Sequence, residues 1–170
     1  MSRESEYTLK PFTGCDAAEV AVLQRCCWVP EAVLNDTLNI PALHESVDDV
    51  LRWPESWETL CLRNGGRLVG AVRGQTTRDG SWEIGRLMVA PDLASQGLGR
   101  WLLRAGERLA PDETTRFVLF TGVKSERNIR IYQQAGYEIC EPPSTNSEHI
   151  AGTVFLARPA PRPRAAASST

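Results

Sequence analysis

Apolar and polar positions alternate over residues 6–10 (EYTLK), which predicts a first strand. The pattern turns helical over 16–28 (DAAEVAVLQRCCW), where Val20, Leu23 and Cys27 share a face and Asp16 offers an N-cap. A second helix is predicted over 44–57, opened by HESVDD and interrupted at Pro54. Residues 29–43, with Pro30 and Pro41, read as loop with a short helix. A strand series follows: 58–63, the turn NGG, 67–76, the turn at RDGS, and 81–89, ended by Pro91. Residues 98–109 are helical again, with Leu98, Leu102 and Leu109 among the apolar positions, and Pro111 closes the element. The continuous apolar run 116–123 predicts a buried strand, and 126–135 a short helix stopped by Gly136 as a left-handed cap. Strands at 137–141 and 152–157, joined by a polar loop, complete the chain. The order β-α-α-β-β-β-α-β-α-β-β describes one α/β (α+β) domain over residues 1–157. Its central sheet is mixed and mostly antiparallel, flanked by helices. The Pro/Ala-rich tail 158–170 reads as disordered.

Composition narrows the function. With 170 residues, 42% hydrophobic and 24% charged, the chain has the make-up of one soluble domain. A net charge of -2 gives no basis for nucleic-acid binding. No apolar run approaches the ~20 residues of a membrane span, and MSRESEYTLK has no signal pattern. Five cysteines, with no C-x-x-C, argue against a disulfide framework and for a cytoplasmic, reducing setting. His44 and His149 lack metal-ligand spacing, so no metal site is expected; His149 reads as a loop residue.

The chemistry concentrates at SQGLGRWLL, residues 95–103. A helix start without bulky side chains can wrap backbone N–H groups round a phosphate. The nucleotide P-loop string G-x-x-x-x-G-K-[ST] is absent. The dinucleotide fingerprint fits Gly97 and Gly99, but position 102 is leucine and the preceding strands are joined by hairpins, so NAD binding is a distant reading. Arg100, in the first turn, equally reads as a phosphate contact or a solvated helix residue.

The longer stretch LMVAPDLASQGLGRWLL resembles the coenzyme A loop of the GCN5-related N-acetyltransferase (GNAT) superfamily: a strand ending in V-x-P, then R/Q-x-x-G-x-G/A, then a helix. Val89, Pro91, Gly97 and Gly99 match, while the leading Arg/Gln falls on Ala94. A second stretch, NIRIYQQAGYE, resembles the family's N-x-x-x-Y-x-x-x-G-Y/F element through Asn128, Tyr132, Gly136 and Tyr137. The resemblance implies an acetyl-CoA-dependent N-acetyltransferase working by direct transfer to a primary amine. Coenzyme A would lie along the strand end Leu87, Met88 and Val89, with a backbone N–H near Val89 polarising the thioester carbonyl. Its pyrophosphate would sit on Ala94, Ser95, Gln96, Gly97, Leu98, Gly99 and Arg100, with Gln96 a substitute for the missing side chain. Asn128 would hydrogen-bond the cofactor and Tyr132 would protonate the leaving thiolate. Glu83 is a candidate general base; by alternation it shares a face with Val89 unless a bulge resets the phase, and it equally reads as a solvent-facing residue. The acceptor would be a small-molecule or peptide amine. Glu45, Asp48, Asp49, Glu55 and Glu58 with Trp28, Trp53 and Trp57 suggest a cationic one, although an acidic solvated helix over core tryptophans explains the same residues. The family leaves room for a homodimer. A non-catalytic acyl-CoA-binding module, kept open by Ala94, is the alternative.

Overall fold

The β-branched and aromatic runs pair into one seven-stranded sheet, ordered β1-β2-β3-β4-β5-β7-β6. Its strands are β1 (Tyr7–Pro11), β2 (Glu58–Asn64), β3 (Arg67–Thr76), β4 (Trp82–Val89), β5 (Arg116–Gly122), β6 (Glu138–Cys140) and β7 (Thr153–Pro159). Every neighbouring pair is antiparallel except β4 and β5. The helices are α1 (Ala17–Asn35), α2 (Pro41–His44), α3 (Val47–Leu51), α4 (Leu98–Arg108) and α5 (Glu126–Gln134). This computed structural model describes residues 6–142 and 152–161. His149 and the tail from residue 162 onward lie outside the described residues. The last strand runs two residues past the expected boundary, to Pro159.

Both α1 and α4 pack on β3 and β4, from opposite faces. The α4 face is fixed by close packing. The Trp82 indole donates to the Gly106 carbonyl at 2.9 Å, and a Cβ on Gly74 would stand 2.4 Å from that indole. Leu98, Leu102 and Leu103 of α4 are fully buried, as the amphipathic pattern requires.

Two local expectations change. Helix α1 does not stop at Trp28 but runs through Pro30 to Asn35. Proline removes one helical hydrogen bond, but the turns beyond it are held from outside: Asn35 Nδ2 donates to Ser125 Oγ at 3.0 Å, and the Lys124 N–H to Asn35 Oδ1 at 3.0 Å. Asp16 makes no cap bond to α1. Its carboxylate accepts from the Thr13 N–H (2.8 Å) and hydroxyl (2.9 Å), closing the 3-10 turn Gly14–Asp16, and pairs with Arg63 at 2.7 Å. The 44–57 segment divides into α3, capped by Ser46 and Asp49, and a 3-10 turn at Trp53–Glu55.

Candidate functional site

The site begins with one extra residue in β4. Ala71 pairs with Met88 and Arg73 with Gly85, so β4 takes three steps where β3 takes two. The bulge falls at Arg86, whose φ is +47°, a left-handed backbone that costs a side-chain-bearing residue about 1–2 kcal/mol. Arg86 is held there by Glu45, with Nε on Oε2 and an NH2 contact on Oε1, both at 3.2 Å.

The bulge has two consequences. First, β4 pairs with β5 only at Trp82–Phe117 and Glu83–Val118, and the strands then part. Because the Ala90 N–H goes to Val69 O on β3 at 2.8 Å, alternation turns the Val89 N–H and carbonyl toward the gap. The Cys27 thiol donates to that carbonyl at 3.3 Å, and burial pushes its pKa up to about 12, so it stays a neutral thiol. Second, the phase resets. Val89 pairs with Gly70, whose Cβ direction points at Leu102 of α4, and Ile84 with Gly74 on that same face. Glu83 therefore shares a face with Met88 and not with Val89, correcting the simple alternation.

A cleft of about 1260 Å³ fills the gap, and the thirteen residues expected to contact the cofactor or take part in catalysis all line it. At one end the chain leaves β4 through a 3-10 turn (Pro91–Leu93), then takes left-handed backbone at Ser95 (φ +69°) and Gly97 (φ +79°) before α4 begins. The N–H groups of Leu98, Gly99 and Arg100 open the helix and have no intrahelical carbonyl to bond. A Cβ on Gly99 would meet nothing within 4 Å, and no acid occupies the first turn. Arg100, Arg104 and Arg127 also line the cleft. Arg127 reaches from α5 to the Ser95 hydroxyl at 3.0 Å, and Arg100 to Gln134 at 3.3 Å. Ala94 contributes no donor side chain, and Gln96 Oε1 lies 3.5 Å from the Tyr7 hydroxyl.

Tyr132 stands four residues from Asn128 on α5, hence on the same helix face. Burial first, and the charge of Glu31 second, push the Tyr132 pKa up to about 12, so the phenol keeps its proton at neutral pH. Asn128 Nδ2 donates to Glu31 Oε1 (3.3 Å) and Thr121 Oγ1 (3.4 Å), and the Ser125 hydroxyl donates to Glu31 Oε2. Glu31 was not visible as a site residue, since it follows a proline in a stretch that reads as loop. Arg127 was hidden because nothing in its spacing ties it to a loop thirty residues earlier.

On β4, Glu83 accepts from Gln75 Nε2 at 3.0 Å. The acids expected around the acceptor do not line the cleft: Glu45 is bound to Arg86, and Asp48, Asp49, Glu55 and Glu58 are not part of its wall. The tryptophan faces are occupied by the chain's own guanidiniums. Arg73 lies 4.3 Å from the Trp53 ring centroid and 4.0 Å from that of Trp57, and Arg86 lies 5.7 Å from that of Trp28.

A family model described as Acetyltransferase (GNAT) family matches residues 22–137. Solved structures share the fold. An acetyltransferase of the GNAT family from Staphylococcus aureus superposes with a TM-score of 0.76 at 12% identity, over 91% of this chain and 99% of its own. The PaiA N-acetyltransferase of Thermoplasma acidophilum, solved with coenzyme A, gives 0.74 at 13% identity, over 94% and 99%. YncA of Salmonella typhimurium, solved with acetyl-CoA, gives 0.69 at 17% identity, over 95% and 97%. No curated protein matches in sequence.

Proposed function

Since the chain belongs to the GNAT acetyltransferase family, we propose that it transfers an acetyl group from acetyl-CoA directly to a primary amine. The observation that carries this reading is the single cleft that holds both the Gly97–Gly99 helix start and the Tyr132 hydroxyl. The helix start fits a pyrophosphate: three N–H groups at the positive end of α4, open space over Gly99, and Arg100, Arg104 and Arg127 alongside. Arg127 compensates for Ala94, bringing to Ser95 the cation that the loop itself lacks. The neighbour structures bound to coenzyme A and acetyl-CoA support the same cofactor here.

When bound, acetyl-CoA supplies the activated acetyl thioester. The chain's residues then have distinct tasks. The Val89 N–H, facing the gap, donates to the carbonyl oxygen where negative charge grows. Glu83 receives the amine proton, directly or through one water, as the new C–N bond forms. The Tyr132 hydroxyl gives its proton to sulfur as the C–S bond breaks. Burial keeps the phenol protonated over the range in which an acceptor amine loses its own proton, so the donor is present when the C–S bond breaks. Five unpaired cysteines, with Cys27 and Cys61 held neutral by burial, support a reducing, cytoplasmic setting.

Thiol release from acetyl-CoA across an amine panel tests the reading. Tyr132→Phe is expected to lower kcat by about 100-fold while coenzyme A affinity, read by calorimetry, stays put. Binding of coenzyme A without thiol release from any amine would leave a non-catalytic acyl-CoA-binding module instead.

A further inference from the structure

The acetyltransferase reading leaves the acceptor's chemistry open, and the wall formed by β3, β4 and Trp57 narrows it. Arg73 lines the cleft yet is only 7% exposed. Among the described residues its Nε is buried without a partner, and the one carboxylate within 4 Å is Glu45 Oε1 at 3.8 Å, beyond hydrogen-bond reach. Glu45 is already engaged on both oxygens by Arg86. Glu83 forms no ion pair within 4 Å with either arginine and is bonded to Gln75. A guanidinium nitrogen taken out of water without a hydrogen bond is costly, and an anion at the group offsets that cost. Stacking on Trp53 and Trp57 holds its plane in place and fills none of its N–H donors.

We propose that the acceptor is a small amine carrying a carboxylate, as an amino acid does, with the carboxylate on Arg73 and the amine toward Glu83. This rests on the acetyltransferase reading. The register supplies the spacing. Arg73 pairs with Gly85, and Glu83 lies two residues before Gly85 on the same face. The two side chains are therefore diagonal neighbours, with Cα atoms about 7–8 Å apart. Their charged heads stand more than 4 Å apart, which leaves room for an amine and a carboxylate separated by one or two carbons to bridge them. The other carboxylate lining the cleft, Glu31, is committed to Ser125 and Asn128.

The test uses the native chain and matched acceptors: amino acids, their primary amides and the corresponding decarboxylated amines. The acids are expected to show a KM lower by about 10-fold or more. In calorimetry on the protein saturated with coenzyme A, N-acetylated acids are expected to bind and their amides not. Arg73→Gln should erase the gap between acid and amide, and Arg73→Lys should restore part of it, with coenzyme A affinity unchanged in both. Amides or decarboxylated amines used as well as the acids would overturn the proposal, as would an undiminished gap in Arg73→Gln. If both variants fail to fold, the native panel and the calorimetry decide alone. Failure to bind coenzyme A would sink the acetyltransferase reading and this inference with it. Coenzyme A binding and thiol release without any preference for acids would sink only this inference.

Discussion

Gly97 and Gly99 sit two residues apart and are glycine for different reasons. At Gly97 the left-handed backbone (φ +79°) is the reason, since only glycine takes it without strain. Ser95 takes a similar angle and bears the strain, bonded by Arg127. Gly99 has no such angle and lies inside the first turn of α4, where alanine would favour the helix by about 1 kcal/mol. What glycine supplies there is room, since a Cβ would meet nothing within 4 Å. Gly99→Asp should thus separate fold from ligand. An acid in the first turn suits the helix dipole, so the melting temperature should hold or rise. The same carboxylate would stand where the proposed function puts the pyrophosphate, and coenzyme A affinity should fall by about 10-fold or more in calorimetry. A parallel loss of stability would show that Gly99 serves packing and not the anion.

Helix α1 shows how much could be read beforehand and how much could not. Val20 and Leu23 announce its buried face by spacing alone, and both are buried. The strands behave likewise, because period-two alternation and NGG-type turns are local signals. The C-terminal end of α1 is not local. Pro30 argues for a stop, and the turns beyond it are tied to Lys124, Ser125 and Asn128, roughly ninety residues away. The Arg86 bulge was equally out of reach, since nothing in SWEIGRLMV marks the extra residue and its left-handed angle depends on Glu45 of another segment. Gly97, Asn128 and Tyr132 stood out because their spacing lies within short motifs. Glu31, Arg73 and Arg127 did not, because their relations to the cleft exist only after folding. Glu31 joins the end of α1 to the start of α5, and Glu31→Ala would deprive the buried Ser125 hydroxyl of its acceptor and leave Asn128 with Thr121 Oγ1 only. The expected cost is about 1–3 kcal/mol, read as a lowered melting temperature with faster amide exchange at residues 125–129. Unchanged exchange there would mean that α5 is held in place without Glu31.

A second stabilising cluster lies away from the cleft, at the β1 edge of the sheet. The cleft opens between β4 and β5, while β1, β2 and the start of α1 are tied by Arg63, which bonds Asp16 at 2.7 Å, Glu19 at 2.6 Å and the Gly66 carbonyl at 2.7 Å. None of these residues lines the cleft. The Arg63 hydrogen bond, foremost among its contacts, holds Glu19 below its ordinary pKa of 4.5. At Asp16 burial pushes upward, but the bonds from Arg63 and Thr13 together outweigh it and leave the group below 3.8. Carboxylates that ionise more readily folded than unfolded bind fewer protons in the folded state. Their contribution is complete above about pH 4.5 and is lost as pH falls through the lower folded values. The melting temperature should accordingly drop from pH 5 to pH 3, and Arg63→Gln should flatten that drop. The variant should melt below the native chain at pH 7 and approach it at pH 3, with coenzyme A affinity at pH 7 unaltered. Calorimetric melting of both proteins at pH 7, 5, 4 and 3 checks this. Parallel curves would mean that acid sensitivity arises elsewhere, and a weakened affinity would mean that this edge of the sheet and the cleft are coupled through β3 and β4.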